Sequence, residues 1–155
     1  PRSKVVMRER SRARGWALRV LYAWETRGEG TSLRDVLRDF LTGRWISPVS
    51  RPYLERLVGD VAEHHQEIDR ALQAALTNWR LERLAAIDRN ILRIAAAEIL
   101  YNPDVPPIVA IQEAIRLAEK YGTADSPRFV NGVLDALVRR HSSGSASPLS
   151  GGDRV

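Results

Sequence analysis

The chain has 155 residues, enough for one domain with a buried core, and its 24 basic and 19 acidic residues leave a net charge of +5. It contains no cysteine, which excludes a disulfide framework and any thiolate metal site. No apolar run approaches the roughly 20 residues of a membrane-spanning helix, and no apolar signal region follows the charged N-terminus, so a soluble cytoplasmic protein with no membrane association is expected.

Leu, Ala and Arg abound and aromatic residues are scarce, a composition that favours helices. Pro1 is not a translation start, so a processed or trimmed N-terminus is expected. After a basic arm over residues 1–7, the first helix is predicted from about Met7 to Arg27, ending at Gly28. Thr31 is placed to cap a second helix through about Leu41, stopped by Gly43, and "RWISPVS" reads as a loop. A third helical region covers about Ser50 to Asn78, with a break expected near His64 and His65. Arg80 to Ala86 suits a short helix. Asp88 is read as the cap of an apolar helix running to Tyr101. The prolines of "NPDVPP" enforce a turn. Two more helices follow, from about Ile108 to Tyr121 with Gly122 as stop, and from Ser126 or Pro127 to about His141. The Ser/Gly-rich residues 142–155 have nothing to bury and are expected to be disordered. The fold class is therefore all-α, a compact bundle of six or seven helices over residues 8–141.

The charge is concentrated at one end. Residues 1–19 carry seven basic side chains and only Glu9 as an acid, giving +6, and the remainder sums to −1. A basic segment on a near-neutral body points to a localised anionic partner. On a helical wheel with Ala17 at zero, Ala13, Val20, Leu21 and Trp24 form the buried stripe. Arg8, Arg12 and Arg19 lie opposite it, with Ser11, Gly15 and Tyr22 beside them. A solvated charged face would look much the same. The scarcity of acidic partners and the tyrosine on the polar face favour nucleic acid, because arginines bind phosphates and an exposed ring stacks on an unpaired base.

In the last helix Val130, Val133, Leu134 and Leu137 form the core stripe, Ser126 suits the N-cap and Pro127 the first helical position. Phe129 lies about 90° from the centre of that stripe. It fits either the core edge or an exposed ring at a helix N-terminus, where Asp125 would cap the amides or meet a base edge. Glu98 falls inside the stripe of Ile87, Ile91, Ile94 and Ala95. A carboxylate there needs donors, and the amides of about Val105 to Val109 are the expected ones.

The segments "RSRARGWALRVLYAWE", "DRNILRIAAAEIL" and "VPPIVAIQEAIRLAEKYGTADSPRFVNGVLDAL" resemble the NusB family of transcription antitermination factors, over about Arg8 to Arg139. The resemblance implies two packed helical subdomains. It also implies binding to single-stranded boxA-like RNA of ribosomal RNA leader transcripts, together with the ribosomal protein NusE, within the RNA polymerase antitermination complex. By the same resemblance Arg10, Arg12, Arg14, Tyr22, Tyr121, Asp125 and Phe129 are expected on RNA. Ser11 interrupts the arginine run of some members, and Arg8, on the face of Arg12, can compensate. Glu82 and Asp88 match positions that face NusE. Family members differ in self-association, so a homodimer stays open.

Other classes find less support. His64 and His65 are adjacent and point about 100° apart on a helix, and neither they nor His141 belong to a metal or triad pattern. No glycine-rich phosphate loop is present, so no enzyme, metal or cofactor is expected. NusB-like domains also occur as the RNA-binding part of ribosomal RNA cytosine methyltransferases. A detached domain of that kind, acting in ribosomal RNA maturation, is the alternative reading. No helix-turn-helix spacing supports duplex DNA.

Overall fold

Apolar residues three and four positions apart, with few β-branched runs, yield helices throughout the residues described. The structure is a computed structural model that describes the backbone of residues 2–153 and the side chains of residues 4–143. In chain order the elements are α1 (Arg2–Arg27), α2 (Leu33–Gly43), α3 (Arg51–Ala75), a 3-10 turn (Leu81–Arg83), α4 (Ala86–Tyr101), α5 (Pro107–Tyr121) and α6 (Ser126–Asp153). Helices α1, α2 and α3 pack on one another, as do α4, α5 and α6, and the two groups join where α4 meets α1 and α3 and where α6 meets α3.

Several boundaries differ from expectation. Nothing between Arg2 and Met7 breaks a helix, so the segment expected as an arm is, from residue 2, the start of α1. Ser32, not Thr31, caps α2, its hydroxyl accepting from the Asp35 N–H. Asp88 is not a cap. Leu84 and Ala85 are extended and α4 begins at Ala86, which leaves Asp88 inside the first turn, facing the positive end of the helix dipole. The packed stripe of α6 ends at Leu137, as its spacing predicts, but the helical backbone continues past His141 to Asp153. The side chains beyond residue 143, and with them most of the segment expected to be a disordered tail, lie outside the described residues.

The break expected in α3 is at His64, whose φ of −117° and ψ of 20° leave the helical range. The kink lets two adjacent rings find different partners. His64 stacks on Tyr101 at 3.8 Å, and His65 meets Trp24 edge-on at 5.4 Å.

Helix α4 is the axis of the bundle. Every residue from Asn90 to Glu98 is buried, and Ala95, Ala96 and Ala97 admit neighbouring helices closely. Polar residues on such a helix must be satisfied internally. Glu98 is 1% exposed, as expected of a buried carboxylate, but its partners are not the amides after the turn. It accepts from the Arg14 guanidinium at 2.9 Å and from the Tyr53 hydroxyl. A charged side chain from α1 reaches it first, because α1 packs antiparallel on α4. Burial alone would lower the Arg14 pKa, but the charge and hydrogen bond of Glu98, with Tyr53 and Glu113, together outweigh it and Arg14 stays protonated. Burial and the same carboxylate push the Tyr53 hydroxyl up, so it keeps the proton it donates.

A second network holds the other end of α4. Arg89 pairs with Glu25 at 2.5 Å, and Arg93 pairs with Glu25 and, at 2.8 Å, with Asp69. Burial by itself would raise the Glu25 pKa, yet the hydrogen bonds and charges of Arg89 and Arg93 hold it below the usual carboxylate range.

Replacing Glu98 with Ala leaves Arg14 charged and buried, and should cost about 3–5 kcal/mol of unfolding free energy in a urea titration. Because the folded state depresses the Glu25 pKa, its contribution is present above about pH 4.3 and is lost as pH falls through the lower folded value. Thermal melts across pH 2–6 should therefore show a decline in acid, and Glu25→Gln should flatten part of it.

Candidate nucleic-acid interface

The contacts Arg14–Glu98 and Glu25–Arg89 fix the rotation of α1 as well as its direction. Ala13, Ala17, Val20 and Leu21 go to the core, and Arg8, Arg12, Arg19 and Tyr22 go to solvent. Arg8 and Tyr22 stand about 21 Å apart along the helix axis, with the two other arginines between them. Arg12 pairs at 3.1 Å with Glu9, and the Arg19 guanidinium lies 5.0 Å from the centre of the Trp16 ring.

Two of the expected arginines are placed elsewhere. Arg14 is 3% exposed and is held by Glu98 and Glu113, so it is a core residue and not a surface phosphate contact. Arg10 is half-buried with its guanidinium 4.7 Å from the centre of the Tyr53 ring. The wheel that placed Arg8 and Arg12 outward puts Arg10 and Arg14 at about 20° and 60°, on the core side, so the signal was in the spacing.

At the C-terminal half of α1 the surface opens into a groove of about 400 Å³ between α1, α2 and the ends of α4 and α5. Tyr22 and Tyr121 both line it, with Arg19 from α1, Arg44 from the end of α2, and Ile87 beneath. The Arg44 guanidinium lies 4.0 Å from the centre of the Phe40 ring, which holds that cation in place. Sequence reasoning placed Arg19 on the polar face without assigning it a site, and passed over Arg44. For Arg44 there was no periodic signal, since it follows the last turn of α2.

Tyr121 ends α5, and four residues separate it from α6. This turn is tight enough to require Gly122, since a Cβ there would meet the Ser126 hydroxyl oxygen at 2.5 Å and the Ala118 carbonyl at 2.8 Å. Ser126 does not cap the amides of α6. Its buried hydroxyl accepts from the Thr123 N–H at 2.9 Å and clasps the turn instead. The backbone carbonyl of Asp125 accepts from the Phe129 N–H at 3.1 Å, and the Asp125 side chain is exposed. Phe129 is neither a core residue nor a free ring. It is half-buried against the core, with its outer side edge-on to Trp79 at 6.5 Å.

Glu82 lies in the 3-10 turn and borders a different cavity, and Asp88 lies in the first turn of α4, next to Ile87 of the groove. Glu82 is exposed and pairs with Arg80 at 2.6 Å, and Asp88 is half-buried beside Ile87. This second cavity, of about 380 Å³, is lined by Glu25, Asp69, Arg89 and Arg93, which neutralise one another, and by Glu82. Among the described residues no three His, Asp or Glu side chains form a metal-binding group, and no helix is long and apolar enough to cross a membrane.

Comparison with known proteins matches residues 11–139 to the NusB family. The transcription antitermination protein NusB of Trichlorobacter lovleyi is 47% identical over 128 residues, covering 83% of this chain and 89% of its own. That of Sorangium cellulosum is 43% identical, covering 85% and 93%. Among solved structures, T. maritima NusB superposes with a TM-score of 0.74 at 34% identity, covering 84% of this chain and 90% of its own. The crystal structure of antitermination factors NusB and NusE in complex with dsRNA matches with a TM-score of 0.76 at 30% identity, covering 86% and 98%. This chain belongs to the NusB family.

Proposed function

We propose that this chain is an RNA-binding transcription antitermination factor that takes single-stranded, boxA-like RNA of ribosomal RNA leaders together with NusE, as part of an RNA polymerase antitermination complex. One observation carries this reading. Tyr22 and Tyr121 share a groove flanked by Arg19 and Arg44, and the exposed face of α1 leads into it. Two rings and two cations in one groove suit a nucleotide, with stacking for the base and charge for the phosphate. Arg8 and Arg12 extend the phosphate track along α1. Asp125 and Phe129 continue the site across the α5–α6 turn. Arg10 serves mainly to cover Tyr53. Exposed rings favour unpaired bases over a duplex, whose base faces are stacked away. A solved complex of NusB with NusE, 30% identical to this chain, supports a NusE partner, and in this reading Glu82 and Asp88 face it.

Titrations with a boxA-like single strand, a scrambled strand and a duplex of equal length test the reading, and the first should bind tightest. About four phosphate contacts on a single strand predict a loss of roughly fiftyfold between 50 and 200 mM salt. Arg12→Ala should lower the salt slope by about 0.7. Phe129→Ala should cost on the order of 1–3 kcal/mol of RNA binding with the slope unchanged. Equal affinity for all three nucleic acids would sink the specific reading. For the partner, Asp88→Lys should weaken NusE binding while direct RNA binding holds. RNA and NusE should tighten each other by the same factor in calorimetric titrations.

A further inference from the structure

The ring against Phe129 has no role so far. Trp79 is 60% exposed, among the largest exposures of any apolar side chain described. It sits in the short link between α3 and the 3-10 turn, and that link is pinned. The Gln73 side-chain amide donates to the Trp79 carbonyl at 2.9 Å, and its oxygen accepts from the Leu81 N–H at 2.9 Å. An exposed indole on a fixed backbone loses little freedom when something stacks on it, which is the economy of a preformed binding surface.

We propose that Trp79 extends the RNA site past Phe129, as a further platform for an unpaired nucleobase. The inference rests on the RNA-binding reading above and lengthens its site. Trp79 is the edge-on neighbour of Phe129, at 6.5 Å and 82°, so the apolar surface is continuous from one ring to the other. The chain beside it carries the exposed cations Arg80, Arg83 and Arg128, against the exposed acids Glu82 and Asp125. Arg80 is engaged by Glu82 at 2.6 Å, which leaves Arg83 and Arg128 without a charged partner among the described residues. A flat ring beside unpaired guanidinium groups is the arrangement that holds a single strand by stacking and charge. The strand would pass from the tyrosine groove, over Asp125 and Phe129, to Trp79. The competing role is a cover for Phe129, or a foothold for a partner protein.

The test uses the full chain with Trp79→Leu and Trp79→Ala. Leucine keeps an apolar cover over Phe129 but offers no flat face. Anisotropy of a labelled single-stranded RNA long enough to cross both rings should show about tenfold weaker binding for both variants, with the salt slope unchanged. Trp79→Leu should melt close to the parent, and the quenching of tryptophan emission by RNA should shrink in it. RNA affinity of Trp79→Leu equal to the parent, while Phe129→Ala is impaired, overturns this inference and leaves the RNA-binding reading intact. Weakened NusE binding with unchanged RNA affinity also overturns it and assigns the ring to a protein. A parent chain that binds no single strand removes both readings together.

Discussion

The arrangement of this protein depends on one buried ion pair. Arg14 and Glu98 meet at 2.9 Å between α1 and the enclosed helix α4, both nearly excluded from water. Neither charge tolerates burial alone, so the pair permits few displacements of α1 along or around α4. Tyr53 adds a donor from α3 and Glu113 an acceptor from α5, which ties four helices at one place. The outward direction of Arg8, Arg12, Arg19 and Tyr22 follows from that fixed rotation.

The other end of α1 is held by Glu25 between Arg89 and Arg93. Two clamps at the two ends of α4 leave the groove between them and α2 as a feature of rigid elements, not of a loop. Tyr121 of that groove precedes a turn that depends on Gly122, since only the absence of a Cβ allows the Ser126 hydroxyl to close the α5–α6 connection. That turn carries Tyr121 on one side and Asp125 and Phe129 on the other. Residues about a hundred positions from α1 in sequence thus border the same end of the bundle as Tyr22.

The arginines of the N-terminal segment divide by environment, and their number overstates the surface charge. Arg14 is spent on two carboxylates inside the protein and Arg10 lies over a ring. Outside, Arg19 and Arg44 are each laid on an aromatic face, which restricts a flexible side chain before any anion arrives. In the proposed reading, the cations open to a polyanion are Arg8, Arg12 and Arg19 of α1 with Arg44 just past α2, fewer than the charge run suggests.

Local sequence determined the helices, the kink at His64, the core stripes and the burial of Glu98, because each follows from periodicity or from a residue that disfavours helix within a few positions. The same periodicity already placed Arg10 and Arg14 toward the core, against the motif that put them on RNA. Other features were set only by tertiary structure. The partners of Glu98 come from residues 84 and 45 positions away. The cap role expected of Asp88 vanished because the preceding extended residues start α4 earlier. Arg44 and Trp79 sit outside periodic helix, where no spacing predicts direction. Phe129 could be read either way because its wheel position is marginal. Its state was decided by Trp79, a neighbour 50 residues away that no rule of local geometry could bring to it.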